Sequence, residues 1–319
     1  MESVIKQFSD RDAAIWQVGG KGLSLAAIYR EGLPVPNGFI VTTLAYRQFV
    51  DHNRYQPAIQ KEIQNAGADD AVLEHSVGLI RQWFRAGSMP VEIRDEITTQ
   101  VAAFLGKPLA VRSSAIAEDM PKASFAGLHD SYLNLRTVDD VMQAIHDTWA
   151  SLWCVRAVRY RQQHNIPAEE VAMAVIIQQM APATASGVLF SVNPVSRDRE
   201  QMLVTGTWGL AEALVGGEIT PDSFTLQREP FKVRQRSIAK KKIRIVPNPN
   251  GSGTLRQATP LENIAKPCLH NSTLQKLAKF GLQIEQQMGR AVDMEWAVFT
   301  GSDGKEQTVS YTHLRAHET

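Results

Sequence analysis

The chain has 319 residues, 44% hydrophobic and 21% charged, enough to bury two sizeable cores, so that two lobes are expected rather than one. A formal net charge of +1 provides no global field to attract nucleic acid or an anionic membrane, so any bound anion must be gripped by local groups. The two cysteines, Cys154 and Cys268, make no CxxC and join no histidine motif, which argues against a structural zinc site and fits a reducing compartment.

The N-terminal residues 1–14 lack a basic segment followed by an apolar core, and apolar runs such as 171–177 fall well short of the ~20 residues of a membrane span. The expectation is a cytoplasmic protein with neither membrane nor nucleic acid as partner. Residues 21–28 begin a helix directly after Gly19 and Gly20, and Gly32 with Pro34 ends it. The β-branched run 39–43 reads as a strand, and 44–105 carry mostly helical patterns, including 72–84 and 91–104. The stretch 110–127 opens as a short buried strand. From 138 to 164 the residues Val138, Val141, Ile145, Trp149, Leu152 and Val155 recur at helical spacing, which predicts one long amphipathic helix with its tryptophan stripe in the core. Strands are expected at 171–180, 187–192, 202–205, 223–227, 242–246 and 293–299, with a helix over 274–288. The run Lys240-Lys241-Lys242 reads as a solvated strand end. The fold class is α+β.

Several stretches carry chemistry. The strand that opens 110–127 ends in an untitratable planar cation, Arg112, two hydroxyls, Ser113 and Ser114, two acids, and a small-residue turn from Ser124 to Gly127 whose backbone N–H groups can approach an anion, an inventory that suits polyphosphate. On residues alone, a plain loop in which Arg112 pairs with Glu118 or Asp119 reads equally well. Lys21, at a helix start beside glycines, opposes the helix dipole, which disfavours a structural role and favours phosphate. No P-loop is present, because the G-K-G at 20–22 is not followed by Ser or Thr. Asp293 and Glu295 alternate on a strand and so share a face, as paired carboxylates on a divalent cation require, with Met294 and Trp296 burying the opposite face.

Taken in order, V-G-G-K-G at 18–22, P-V-P-N-G-F-I-V-T-T at 34–43, A-V-R-S-S-A-I-A-E-D-M-P-K-A-S-F-A-G at 110–127, S-G-V-L-F-S-V-N-P at 186–194, T-P-D at 220–222 and G-R-A-V-D-M-E-W-A at 289–297 resemble one family over nearly the whole chain. It is the nucleotide-binding domain of the dikinases that make phosphoenolpyruvate, pyruvate, water dikinase (phosphoenolpyruvate synthase) and pyruvate, phosphate dikinase, with the related rifampicin phosphotransferases. The resemblance implies an ATP-grasp-like nucleotide-binding domain of two lobes, 1–179 and 180–309, with Mg2+ and ATP between them. It also implies that Lys21 and Arg112 act on the phosphates as catalytic and binding residues. Ser124 and Gly127 would belong to a flap over them, with Glu118 and Asp119 organising that loop or forming a solvated turn. Gln178, Gln179 and Met180 would present backbone and side-chain groups to the adenine, with Val188 in apolar contact. Asp293 and Glu295 would hold magnesium. Glu212 and Asp222 resemble family site residues too, though both also read as capping or turn acids.

In such enzymes the β-phosphate of ATP passes to a histidine on a swivelling domain, releasing AMP and phosphate, and then to pyruvate. None of the eight histidines here sits in the corresponding Gly-Gly…Ser-His setting. The phosphohistidine domain and the pyruvate-binding domain are therefore expected as partners outside this sequence. The pattern breaks after 299, where the family runs through a hairpin into Leu-Gln and then Arg-Pro; this chain reads G-K-E-Q-T-V-S-Y-T-H-L-R-A-H-E-T over 304–319. Residues 310–319 resemble translated vector or adapter sequence, a non-native tail of an incomplete reading frame, and neither Gln307 nor Arg315 substitutes for the expected pair. Weakened ATP binding follows. The competing readings are the ATP-binding domain of a rifampicin-type antibiotic phosphotransferase and a non-catalytic nucleotide-binding module.

Overall fold

The structure, a computed structural model, describes residues 3–104, 106–115, 131–301 and 303–313. Ser124, Gly127, Glu118, Asp119 and Arg315 lie outside the described residues. The chain divides into two compact units, one made of Met1–Ala26 with Asn37–Gln179 and the other of Ala27–Pro36 with Met180–Thr319. Helices and antiparallel strands are combined in each, which makes the chain α+β.

The first unit contains β1 (Ile5–Gln7), most of α1 (Ile15–Arg30), β2 (Gly38–Val41), α2 (Thr43–His52), α3 (Tyr55–Ala66), α4 (Asp70–Ala86), α5 (Val91–Ala102), β3 (Leu109–Ala115), β4 (Ser131–Leu135), α6 (Val138–Ala150), α7 (Val155–Gln163) and β5 (Met173–Gln179). Its five strands form one sheet in the order β1-β2-β5-β3-β4, every neighbour antiparallel. Alternation along the strands assigns the faces. Phe39, Val41, Leu109, Val111, Val175 and Ile177 point into a core shared with Tyr46, Phe49, Phe84 and Trp149 of the helices. The Trp149 indole donates to the Met173 carbonyl at 3.1 Å and so ties α6 to β5.

The helix expected over 138–164 is broken. Thr137 and Asp140 form a reciprocal capping box at the start of α6, but the chain leaves the helix after Ala150 and restarts at Cys154, which is extended at φ −118°. The Leu152 carbonyl, released from any helical ladder, accepts from the buried Arg161 at 2.8 Å, and that guanidinium lies 4.8 Å from the centre of the Trp153 ring. Burial lowers the Arg161 pKa to about 10. Because Val138 to Val155 keep their phase through the break, periodicity alone cannot register it.

The second unit contains β6 (Ala185–Phe190), β7 (Gln201–Trp208), α8 (Glu212–Val215), β8 (Asp222–Gln227), β9 (Val233–Ser237), β10 (Ile243–Pro247), β11 (Thr254–Ala258), α9 (Asn271–Met288), β12 (Asp293–Thr300) and β13 (Glu306–His313). Six strands run in the order β13-β12-β6-β7-β8-β9, and β10 with β11 makes a separate hairpin joined through a Gly209–Ile245 bridge. Helix α9 covers one face closely: a Cβ on Gly281 would stand 2.5 Å from a Leu189 methyl, so a larger residue there would require that side chain to shift. Ala27–Pro36 joins this unit, with the Pro34 carbonyl accepting from Ser310 N–H of β13 at 2.9 Å.

The lysine run at 240–242 is not a solvated strand end throughout. Lys240 and Lys242 are exposed, but Lys241 is 1% exposed and its ammonium lies 2.5 Å from the buried Asp222 carboxylate. Asp222 also accepts from Ala239 N–H at 2.9 Å and Cys268 N–H at 2.8 Å, which makes it neither a helix cap nor a surface turn acid. These three converging donors offset the desolvation of a charge that would otherwise be expelled from the interior. Burial beside this carboxylate pushes the Cys268 thiol pKa up, so the sulfur is an inert core group. No helix among the described residues is long and apolar enough to cross a membrane.

Candidate functional site

In the first unit, the glycine turn before Lys21 is an interruption inside α1, where Gly19 takes φ 69° and ψ 172°, a conformation open essentially to glycine alone. Breaking the helix there exposes new N–H groups, and one finds its acceptor far along the chain. Gly22 N–H donates to Ser114 Oγ at 2.9 Å, and the same hydroxyl donates to the Val18 carbonyl at 2.7 Å. A serine on β3 thus caps the restarted helix and holds both sides of the turn. The approach is so close that a Cβ on Gly19 would lie 2.1 Å from the Ser114 carbonyl oxygen. On the other side of the turn, the Thr43 hydroxyl donates to the Trp16 carbonyl at 2.8 Å.

Ser114 therefore has a different role from the one its neighbours suggested. Its proton is given to Val18, and the side chain is fully buried, so it positions the turn instead of contributing a hydroxyl to a phosphate. Ser113, also buried, faces the opposite side of β3. Two residues before Ser114 on the same face is Arg112, which is half-buried, as is Lys21. Gln178 of β5 is the cross-strand partner of Ala110, on that same face, so Lys21, Arg112 and Gln178 belong to one side of the sheet. Arg112 thus lies on the side of the sheet opposite the hydrophobic core, the side to which Ser114 ties the turn that precedes Lys21.

Gln179 and Met180, expected beside the adenine, follow Gln178 at the end of β5. Gln179 N–H is committed to the Asn37 carbonyl at 2.8 Å, and Met180 is 5% exposed, leaving little surface for apolar contact. The following N–H, of Ala181, donates to the Tyr311 hydroxyl at 2.7 Å.

In the second unit, Asp293 and Glu295 lie on one face of β12, while Met294 and Trp296 are buried under α9 on the other. Val188 is the cross-strand partner of Glu295 on β6, and Tyr311 is its partner on β13. Asp293 is buried and Glu295 half-buried. Among the described residues no cluster of three or more His, Cys, Asp or Glu is placed to hold a metal ion. A carboxylate pair still suits Mg2+, which takes one or two protein carboxylates and completes its shell with water and phosphate oxygens. Glu212 is exposed on α8 and accepts from the Thr254 hydroxyl of β11 at 2.8 Å.

The model of the pyruvate phosphate dikinase AMP/ATP-binding domain family matches residues 15–308 of the chain. Similar curated proteins include the probable phosphoenolpyruvate synthase of Pyrococcus abyssi, 34% identical over 94% of this chain and 42% of its own length. The phosphoenolpyruvate synthase of Pyrococcus furiosus is 33% identical over 90% of this chain and 40% of its own. The rifampicin phosphotransferase of Bacillus subtilis is 36% identical over 88% of this chain and 32% of its own. The chain thus spans less than half the length of each of these relatives.

Proposed function

The chain belongs to the pyruvate phosphate dikinase AMP/ATP-binding domain family, and from that premise we propose that it binds Mg·ATP through Lys21, Arg112, Asp293 and Glu295 as the nucleotide-handling part of a phosphoenolpyruvate synthase-like dikinase. The observation that carries this reading is the clamp by which Ser114 fixes the glycine turn of Lys21 to the strand face of Arg112. The clamp fixes the turn that carries Lys21 to the strand that carries Arg112, so both cations are presented from anchored backbone, an arrangement suited to phosphate oxygens.

On this reading the two units are ATP-grasp-like lobes. Lys21 supplies a point charge and Arg112 a planar fork to phosphate oxygens, and both stabilise charge that develops as the β-phosphate departs. Asp293 and Glu295 would hold Mg2+, which neutralises and orients phosphate oxygens when bound. The acceptor histidine and the pyruvate site belong to other domains of a longer cytoplasmic protein, and the products are phosphoenolpyruvate, AMP and phosphate. The 36% identity to a rifampicin phosphotransferase supports a second reading, in which the same nucleotide chemistry serves an antibiotic acceptor.

Calorimetric titration with Mg·ATP tests the proposal. The chain should bind, and Lys21→Ala or Arg112→Gln should each weaken binding at least about tenfold, the usual worth of a charge-assisted hydrogen bond to phosphate. Unchanged affinity in both variants would overturn it.

A further inference from the structure

Charge in this chain is unevenly placed. Residues 228–257 hold nine lysines and arginines against the single acid Glu229, out of 34 and 33 in the whole, so 25 cations and 32 anions remain elsewhere. Within the segment, Lys241 is taken up by Asp222, Arg228 by Glu285 and Arg256 by Glu218. Lys232, Arg234, Arg236, Lys240, Lys242 and Arg244 make no ion pair among the described residues. All but Arg244 are exposed.

These cations surround a particular backbone feature. Strand β9 is the outermost of its sheet, and no strand among the described residues pairs with its far edge. Four of its residues, 234–237, are exposed, and Ile238, 37% exposed, follows directly. An edge strand presents a row of N–H and C=O groups to any extended chain, and positive side chains decide which chain is admitted. A second copy would bring its own arginines against these, whereas an acidic strand would be attracted.

We propose that β9 and the following residues 238–242 form a docking surface for an extended acidic polypeptide segment, which adds to the sheet as a further strand and sets its carboxylates against Arg234, Arg236, Lys240 and Lys242. Nucleic acid suits the surface less well. Residues 232–260 contain no Phe, Tyr or Trp on which a base could stack, and the rest of the chain, with its excess of anions, would repel a polyanion. Backbone pairing also rewards a polypeptide and offers nothing to a duplex.

The test uses the full chain and a fluorescein-labelled peptide of alternating glutamate and valine, about ten residues long, read by fluorescence anisotropy at low and at physiological salt. One control peptide has the same charge with alternate valines replaced by proline, which cannot donate to a strand ladder. A DNA duplex is the second control. The acidic peptide should bind and should weaken as salt rises. The proline peptide, and the triple variant Arg234→Glu, Arg236→Glu, Lys242→Glu, should each bind at least about fivefold more weakly, on the scale expected of a few exposed charge pairs. If the triple variant melts early, Lys240→Gln with Lys242→Gln, both on exposed loop positions, takes its place. The proposal is overturned if the peptide does not bind, if the proline peptide binds equally, if the variants are indifferent, or if the duplex binds more tightly than the peptide.

Discussion

Replacing Ser114 by alanine should separate the structural clamp from the nucleotide chemistry it serves. The hydroxyl makes two buried hydrogen bonds, accepting from Gly22 N–H at 2.9 Å and donating to the Val18 carbonyl at 2.7 Å. Removing it leaves a buried donor without its acceptor, at about 1–3 kcal/mol, and weakens a carbonyl that loses its only described side-chain donor, for a total of about 2–4 kcal/mol. In a unit of this size each kcal/mol lowers the melting temperature by about 2–4 °C, so a fall of about 5–10 °C is expected. With the turn released, Lys21 is no longer held at the restarted helix, and Mg·ATP affinity should drop at least about tenfold at a temperature where the variant is still folded. Thermal melts and calorimetric titration on one preparation give both readings. A lowered melting temperature with undiminished ATP affinity would refute the link between clamp and phosphate binding, and no change in either would refute the cap itself.

Asp293→Asn and Glu295→Gln should abolish the magnesium dependence of ATP binding while leaving the fold intact, which titration with and without Mg2+ would show; equal magnesium dependence in wild type and variants would count against the pair as ligands. Lys241→Met should cost about 3–5 kcal/mol, because it strands the Asp222 carboxylate in the interior, and Lys241→Met with Asp222→Asn together should cost less than the sum of the two singles; additive urea-melt energies would argue against coupling. His146 packs on Phe49 and Trp149, and burial lowers its pKa from the ordinary 6.5. The unfolded chain therefore takes up this proton first as pH falls through 6.5, and stability is lost from there down to the folded value, at up to about 1.4 kcal/mol per pH unit. His146→Phe should flatten the urea-melt stability between pH 7.5 and 5.5 relative to wild type by about that slope, and identical slopes would show that the imidazole does not titrate in this window.

The longest elements were legible because their periodicity is imposed by burial on one side: α4, α9 and the apolar β5 were all expected near their observed positions. The edge strands were not. In β9 every residue but Val233 is exposed and no alternation survives for a pattern to register, and β11 is similar, with Leu255, Arg256, Gln257 and Ala258 all exposed. The break between α6 and α7 was invisible because the apolar positions keep helical spacing across it, while the Arg161 contact with the Leu152 carbonyl leaves no mark on that pattern. Of the candidate site, the alternation of Asp293 and Glu295 and the glycine turn at 19–20 could be read locally. The inward commitment of Ser114 could not, since Val18 and Gly22 are its partners across more than ninety residues. Lys241 likewise looked the same as Lys240 and Lys242 in composition, and only the position of Asp222 distinguishes it.

Residues 27–36 belong with the later half of the polypeptide although their flanks belong with the earlier half. No single cut therefore yields two autonomous pieces. A fragment starting at 180 would lack the Pro34 carbonyl that receives Ser310 N–H, and one ending at 179 would carry ten residues with nothing to pack on. During synthesis this early stretch must wait until β13 emerges before the Pro34 carbonyl can receive Ser310 N–H. Closing so long a loop costs little more free energy than closing a moderate one, but it makes the final step slow. Interrupted translation would leave an exposed intermediate that chaperones must protect.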